Sequence, residues 1–599
     1  MLAGLLRFTG LGWGLRHEPH GDERVFVESV RAMIAAGDFD HRYYEYPGLF
    51  FYLLSPVVAL APEGVAGSGA YLASRGLVAA FGVLGCLAVY RLGSLLDSRE
   101  AALLGALLMA VSPLAVHTAH MVRPDVVLQV VVTMALVALL RVGGRPRADL
   151  VVGAVIGAAV AVKFSGAFLV PTYAVRRLLA PGPRVRGAVL ATVALVAIFF
   201  VATPYALVHP REFVAGLETQ VGHHYEEPEG SEPAERGLAL AYAAVWPRAL
   251  GAPAAAFALA GAVIALETDA RRWLPLIVLP LVTVAVMGSQ RLLFWRHLLP
   301  SLGVVVLLAA LCAERVSAAV AHRLRADRRA VLAVLAVILA ALPLVNTLAY
   351  VRDVVRPGTR DRALDWVQAH VPAGSRVLTS VERIGLERAP VELTRVTRLA
   401  EEDRPLVAGM DYVVATTADD ARAFVGLSER QTWTPESPVA GPAIVVFAVP
   451  PSVRPNDTPV PLSAEMLSAS ENPGDLHAAC DGRPDTLWRT ADPQRPGDWL
   501  MVTLPAAERI GRIELLVDGA GRFAARELSV LVGAEGRSWV PARTLAARPT
   551  VDRQRPEVGP PSQVLVLTPP VRTRAVRLTL RRSGAHRWGV AELRLFAVK

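Results

Sequence analysis

Residues 101–140 read AALLGALLMA VSPLAVHTAH MVRPDVVLQV VVTMALVALL. Two apolar runs, Ala101–Thr118 and Asp125–Leu140, are each about the length that crosses a hydrocarbon core, and Arg123-Pro124-Asp125 sits where the second begins. Charged residues at a membrane boundary are expensive to keep, so this short motif marks a candidate site as well as a turn.

Working outward, the pattern repeats. Further apolar runs lie at Arg75–Leu92, Gly187–Val208, Ala249–Leu266, Trp273–Gly288, Leu298–Ala313 and Ala330–Tyr350, and Leu150–Val175 reads as two short helices broken near Lys163. Ten spans are expected. The bulk numbers agree: 53% of the 599 residues are hydrophobic and only 19% are charged, with a mean hydropathy of +0.40, which excludes an ordinary soluble protein.

The net charge of +9 does not imply nucleic acid, because much of the basic excess sits in short loops. Arg91, Arg99, Arg141, Arg147, Arg176, Arg177, Arg184, Arg186, Arg271, Arg272 and the run from Arg315 to Arg329 fall on one face, which the positive-inside rule makes cytoplasmic. Residues 16–74, His117–Pro124, the acidic 209–236 loop, Ser289–His297 and everything after Arg352 are then expected outside, and the high Ala, Arg and Val usage suggests that the membrane is a bacterial plasma membrane. Met1–Leu15 is shorter than the ~20 residues a span needs, although this topology asks for one there. The start therefore reads as truncated or misassigned. The three cysteines, Cys86, Cys312 and Cys480, exclude a disulfide framework.

After the membrane module (1–355) the pattern changes. Helices at Thr359–Val371 and Asp419–Arg430, with strands at Arg376–Ser380, Tyr412–Thr416 and Ala443–Val449, predict a small α/β domain over 356–450. A Pro-rich linker occupies 451–464. Alternating segments in 465–599, such as Trp499–Leu504, Arg512–Val517, Val564–Leu567 and Ala575–Leu580, predict an all-β jelly roll.

Chemistry is expected outside the cytoplasmic face. Gly21-Asp22-Glu23 follows the short apolar start and precedes Tyr44-Glu45-Tyr46-Pro47-Gly48-Leu49. Adjacent residues on a helix point about 100° apart, so Asp22 and Glu23 do not both face one substrate, and one of them is the candidate base. The plain structural role for Asp22 is the N-cap of a helix over Glu23–Ala36, whose Val25, Val30, Met33 and Ile34 form a stripe suited to a bilayer surface. Asp125 at a helix start is likewise an ordinary cap, and Arg296 an ordinary interfacial anchor. Arg123, Lys163, Arg291, Arg296 and His297 are the cations available to a phosphate. Glu45, with His223 or His224, is a weak candidate for a divalent metal, since the histidines lack motif spacing.

These motifs, in this order and on one face, resemble the polyprenol-dependent glycosyltransferases of the GT-C type, the group of the protein O-mannosyltransferases and aminoarabinose transferases. The resemblance covers about residues 5–450. It rests on Leu6-Arg7-Phe8, Gly21-Asp22-Glu23, Tyr46-Pro47-Gly48-Leu49, Arg123-Pro124-Asp125, Lys163 and Arg296-His297-Leu298-Leu299-Pro300. It implies a mainly α multi-pass membrane protein whose first external loop acts on the acceptor through Asp22, with Glu23 beside it. Arg123, Asp125, Lys163, Arg296 and His297 would then form the donor-phosphate site. The partners implied are a polyprenyl-phosphate-linked sugar, the bilayer, and a glycan, lipid or protein acceptor, with no nucleotide and no nucleic acid. Gly48 departs from the family's second proline, and Tyr46 from a lysine that some members carry.

Residues 465–599 resemble an F5/8 type C (discoidin) domain through Ala479-Cys480-Asp481-Gly482, Thr486-Leu487-Trp488, Trp499–Leu504, Val576-Arg577-Leu578 and Trp588–Leu593. Trp488 and Trp499 are expected in its core. Asp481, Thr486 and Glu592 resemble positions that hold a structural calcium. Two other functions fit the residues: a non-enzymatic lipid or sugar transporter, and a membrane protein that binds glycans through its last domain.

Overall fold

The computed structural model describes residues 1–17, 20–61, 68–96, 98–143, 146–223, 238–290, 294–396, 398–437, 440–453, 456–517, 523–533, 538–546, 562–584 and 586–598. It divides into two compact units, Met1–Leu15 with Pro19–Val355, and Arg16–Glu18 with Arg356–Lys599. The chain is a mainly α multi-pass membrane protein followed by strand-rich structure.

Among the described residues, five helical runs of the first unit are long and apolar enough to cross a bilayer. Four are Gly69–Leu96, Arg184–Ala202, Ala252–Gly288 and Trp295–Leu324, and the fifth contains the helix Arg328–Val355. Arg99–Val111 and Pro113–Ala119, bent by 55°, make a sixth if counted together. Pro113 lacks the N–H that would continue the first helix, so the chain breaks at Ser112 and restarts. This count differs from the ten spans expected. Asp125–Leu139 has only 15 residues and is buried along most of its length, so its apolar character reflects protein packing on all sides. The runs Ala249–Leu266 and Trp273–Gly288 are, as expected, two helices, meeting at Asp269, whose φ of −153° and ψ of 74° are not helical.

The break at Lys163 is present. Helix Pro146–Val162 ends there, Lys163 itself is extended, and the chain returns through the turn Phe164–Phe168 into helix Leu169–Leu179. The reversal is tight enough to need glycine: a Cβ on Gly166 would lie 2.4 Å from the carbonyl carbon of Ala159.

In the second unit a five-stranded sheet runs Glu392–Arg395, Arg376–Thr379, Tyr412–Thr416, Ile444–Ala448, Ser428–Trp433, with parallel pairing between the first three strands and antiparallel after them. Helix Thr359–His370 packs Ala363, Leu364 and Val367 on it. The helix expected over Asp419–Arg430 is instead a short turn, Ala421–Phe424, followed by strand Ser428–Trp433. Gly426, at φ +88°, turns the chain out of helical geometry between them.

The larger sheet pairs two long strands, Trp499–Leu516 and Ser562–Leu580, each spanning two of the segments expected separately and joined across register shifts. Trp488 and Trp588 are fully buried and meet edge to face at 5.4 Å. Trp499, expected beside Trp488 in the core, is only half-buried, under the Arg577 guanidinium at 4.7 Å. The stretch expected as a free linker contributes strand Asp457–Val460, paired with the last strand, Glu592–Val598. Val564 and Val566 share a buried cluster with Leu406, Val407 and Met410, so the sandwich and the smaller sheet have one continuous core.

The helix Gly21–Ala36 is held by buried charge. Glu23 and Arg75 are both fully buried, with the guanidinium donating to the two carboxylate oxygens at 2.7 and 2.6 Å. Val122 N–H adds a third donor to Glu23, and Arg75 also donates to the carbonyls of Leu11 and Trp13. Every oxygen and most donors are thereby satisfied, which is what allows such a pair to persist in an apolar interior. Of the apolar stripe expected on this helix, Val30 and Met33 are buried in the protein core together with Phe26 and Val27, while Val25 and Ile34 are partly exposed. Phe26 meets Tyr46, Phe50 and Phe51 at 5.0–5.3 Å. Glu23→Gln or Arg75→Leu strands a buried charge, a change that typically costs about 3–5 kcal/mol. Arg42→Ala removes only an exposed pair with Asp38, worth about 0–1 kcal/mol. Thermal unfolding in detergent should therefore show a large loss for the first two variants and little for the third.

Candidate active site

The N-cap of helix Gly21–Ala36 is His20, not Asp22: Nδ1 of His20 accepts the Asp22 N–H at 3.1 Å, and the His20 N–H donates to Glu23 at 3.3 Å. Capping by His20 leaves the Asp22 carboxylate to point elsewhere. Its Oδ2 is 2.8 Å from Arg123 and 3.6 Å from Arg296. Its Oδ1 lies 3.9 Å from His20 Nδ1, beyond hydrogen-bonding range. The nearest approach of each arginine is thus to the same oxygen.

Partial burial pushes the Asp22 carboxyl up, but the opposing fields of Arg123, His20, Arg296 and Lys163 outweigh it and hold the group below the usual carboxylate range. Asp22 is ionised at neutral pH. Its side chain is 37% exposed, whereas that of Asp125 is 2% exposed, so Asp22 is the more open of the two.

Asp125 is paired with Lys163 Nζ at 2.7 Å, at the break that Gly166 permits. Among the described residues, three cations therefore stand against two carboxylates around one small volume, an excess of one positive charge. Tyr46 joins from the 37–48 loop: burial raises its hydroxyl, and the neighbouring Asp125 and Asp22 raise it further, so it stays a neutral donor. The departure at Gly48 has a structural reason. Its N–H donates to Thr203 Oγ1 at 3.3 Å, which proline cannot do, and a Cβ there would lie 3.0 Å from the Ala202 carbonyl oxygen.

The other residues singled out in the sequence fall as follows. Glu23 is beside Asp22 in the chain but is enclosed with Arg75, so it holds the helix and the Val122 backbone instead of facing the cluster. His297 is buried next to Arg296 with its ring edge-on to Phe294 at 5.4 Å, and Arg296 lies over the same ring at 4.2 Å. Glu45 accepts from Tyr43 at 2.8 Å. The His223 side chain, His224 and Arg291 lie outside the described residues, as do Glu226, Glu227, Glu229, Glu232 and Glu235 of the acidic loop. Among the described residues no group of three or more His, Cys, Asp or Glu is placed to hold a metal ion.

Asp481, Thr486 and Glu592 come together in the sandwich. Thr486 donates to both Asp481 oxygens at 2.9 and 2.8 Å, and Glu592 accepts the Gly482 N–H at 3.0 Å. Sequence reading missed His20 and Arg75. Arg75 had a signal, an ionisable residue entering an apolar run; His20 had none, since histidine is an uncommon cap.

Residues 47–207 match the family described as dolichyl-phosphate-mannose-protein mannosyltransferase, and residues 463–593 match the F5/8 type C domain. No curated protein matches the chain. Among solved structures it is similar to ArnT from Cupriavidus metallidurans bound to undecaprenyl phosphate, at 16% identity over 76% of this chain and 97% of that one, with a TM-score of 0.48. It is also similar to the Archaeoglobus fulgidus oligosaccharyltransferase in the apo form, at 13% identity over 75% and 74%, TM-score 0.44. A third is the arabinofuranosyltransferase AftD from Mycobacteria, at 15% identity over 99% of this chain and 58% of that one, TM-score 0.41. The family match thus covers a part of the helical unit, residues 47–207, and the F5/8 type C match covers residues 463–593 near the C-terminal end.

Proposed function

We propose that the protein transfers a sugar from a polyprenyl-phosphate donor to an acceptor hydroxyl at the extracytoplasmic membrane face, with Asp22 as general base and inversion at the anomeric carbon. The observation that carries this reading is the Asp22 carboxylate, ionised and partly exposed, inside a ring of Arg123, Arg296 and Lys163 beside the apolar helices. A phosphodiester carries one negative charge, which the cluster's excess of one positive charge matches. The acceptor hydroxyl loses its proton to Asp22 Oδ1 as its oxygen attacks the sugar, while the cations stabilise charge building on the phosphate. Asp125 holds Lys163 in place, and Tyr46 supplies a neutral donor where some relatives of this type carry lysine. Glu23 acts through position only.

A transporter is usually built from two related halves, each with a discontinuous helix in the corresponding position, and the sequence carries no internal repeat, which favours the enzyme. Asp22→Asn should lower transfer from a labelled polyprenyl-phosphate sugar in membranes by about 10²- to 10⁴-fold, and activity near that of the parent removes Asp22 from the mechanism. Because a base works only when ionised and the Asp22 carboxyl is held low, kcat/KM should persist as the medium is acidified and fall only below about pH 4, the ordinary carboxylate value. A fall centred near pH 6 would contradict the base assignment.

For the last domain, we carry calcium as a proposal. Burial raises the Glu592 carboxyl and the nearby Asp481 raises it further, a like-charge pair that a cation relieves. Calcium should raise the melting temperature of the full-length protein and a chelator reverse it, while Glu592→Gln should show neither effect.

A further inference from the structure

The two arginines nearest the base are the same two that the departing phosphate needs. At rest Arg123 and Arg296 both contact Asp22 Oδ2, at 2.8 and 3.6 Å, and Lys163 is committed to Asp125 at 2.7 Å. Building on the proposed function, the charges through one turnover follow. The acceptor O–H bond breaks and its proton goes to Asp22 Oδ1; the acceptor oxygen bonds to the anomeric carbon; the bond from that carbon to the phosphate oxygen breaks, and its electron pair stays on the phosphate. Asp22 goes from one negative charge to none. The lipid phosphate goes from one negative charge, as a diester, to two, as a monoester. The total within the cluster is unchanged, and one unit of negative charge has moved from the carboxylate to the phosphate.

We infer that Arg123 and Arg296 are shared between base and leaving group: they pair with Asp22 at rest, pass to the phosphate as Asp22 takes the proton, and return when Asp22 releases it, so that deprotonation of Asp22 expels the lipid phosphate. Two features of the site suit this. The arginines meet Oδ2 while Oδ1 receives the proton, so the exchange needs no rotation of the carboxylate. Asp22 is partly exposed, so the proton has a way out to water. The fully buried Glu23–Arg75 pair keeps the helix carrying Asp22 fixed against the Val122 backbone, one residue from Arg123, while the charges shift. The charged and titratable groups that face Asp22 are His20 on its own segment, Arg123 and Asp125 at the start of Asp125–Leu139, Lys163 at the break, Arg296 before Leu299, and Tyr43 and Tyr46 on the loop. Of these groups, among the described residues, Asp22 is the carboxylate that combines two arginine contacts with access to solvent.

The test is calorimetric titration of the full-length protein in nanodiscs with undecaprenyl phosphate, the product-type lipid, at pH 8, where a phosphate monoester with a second ionisation near about 6 is already a dianion. Running it in two buffers of different ionisation heat counts protons. The parent should take up about one proton per lipid bound, since the dianion draws both arginines from Asp22 and leaves it to protonate. Asp22→Asn should take up none and bind the lipid about tenfold more tightly, because no carboxylate competes for the arginines. Arg42→Ala, which removes only an exposed pair with Asp38, should keep the one-proton uptake. Binding by the parent without proton uptake, weaker or equal binding by Asp22→Asn, or loss of uptake in Arg42→Ala overturns the exchange. Transfer assays on the same samples separate this from the proposed function: an inactive Asp22→Asn with unaltered lipid affinity removes the exchange and leaves the base, whereas an active one removes both.

Discussion

Glu23 and Arg75 face each other with no access to water, and the membrane unit is organised around that pair. Two charges brought out of water are tolerated only when each hydrogen-bonding position is filled. Here the filling comes from three separate stretches: the carbonyls of Leu11 and Trp13, the N–H of Val122, and the His20 N–H at the helix start. One ion pair thereby ties the N-terminal segment, the first long helix, the helix Gly21–Ala36 and the turn before Asp125–Leu139. Asp22 and Arg123 are each one residue away from atoms of this network, so their 2.8 Å contact follows from where the buried pair puts them.

The chemistry of the site is set by unequal access. Two carboxylates and three cations occupy the same region, yet Asp125 is sealed with Lys163 whereas Asp22 is open. The sealed pair holds a lysine at the point where a helix breaks and the chain returns over Gly166. The open one meets both arginines. Electrostatic work in such a place is strong because little water screens it, and it needs charges fixed before the substrate arrives.

The second unit follows different rules. Its sheets are held by aliphatic and tryptophan burial, and by a cluster in which Arg512 reaches Asp457, Glu514 and the Gly409 carbonyl. Asp457 lies in the stretch that composition marks as a linker. Pro-rich composition suits a linker, but it also suits an edge strand, and the last strand supplies the partner for Asp457–Val460. Composition has no means of telling the two apart.

The apolar runs, the α/β segment and the alternating strands follow from sequence alone, because hydrophobic period and length are local properties. So does the break at Lys163, and so does the interest of Asp22, Arg123, Asp125, Lys163 and Arg296, since charges beside apolar runs are costly to keep. Only the tertiary structure decided that His20 caps the helix in place of Asp22, that Glu23 belongs to Arg75, and that Arg123 and Arg296 meet the same carboxylate oxygen. Each of these pairs joins residues tens to hundreds of positions apart, or turns on which of two neighbours points inward. Local pattern carries no record of either, because burial is conferred by the elements that pack around a residue and not by the residue itself.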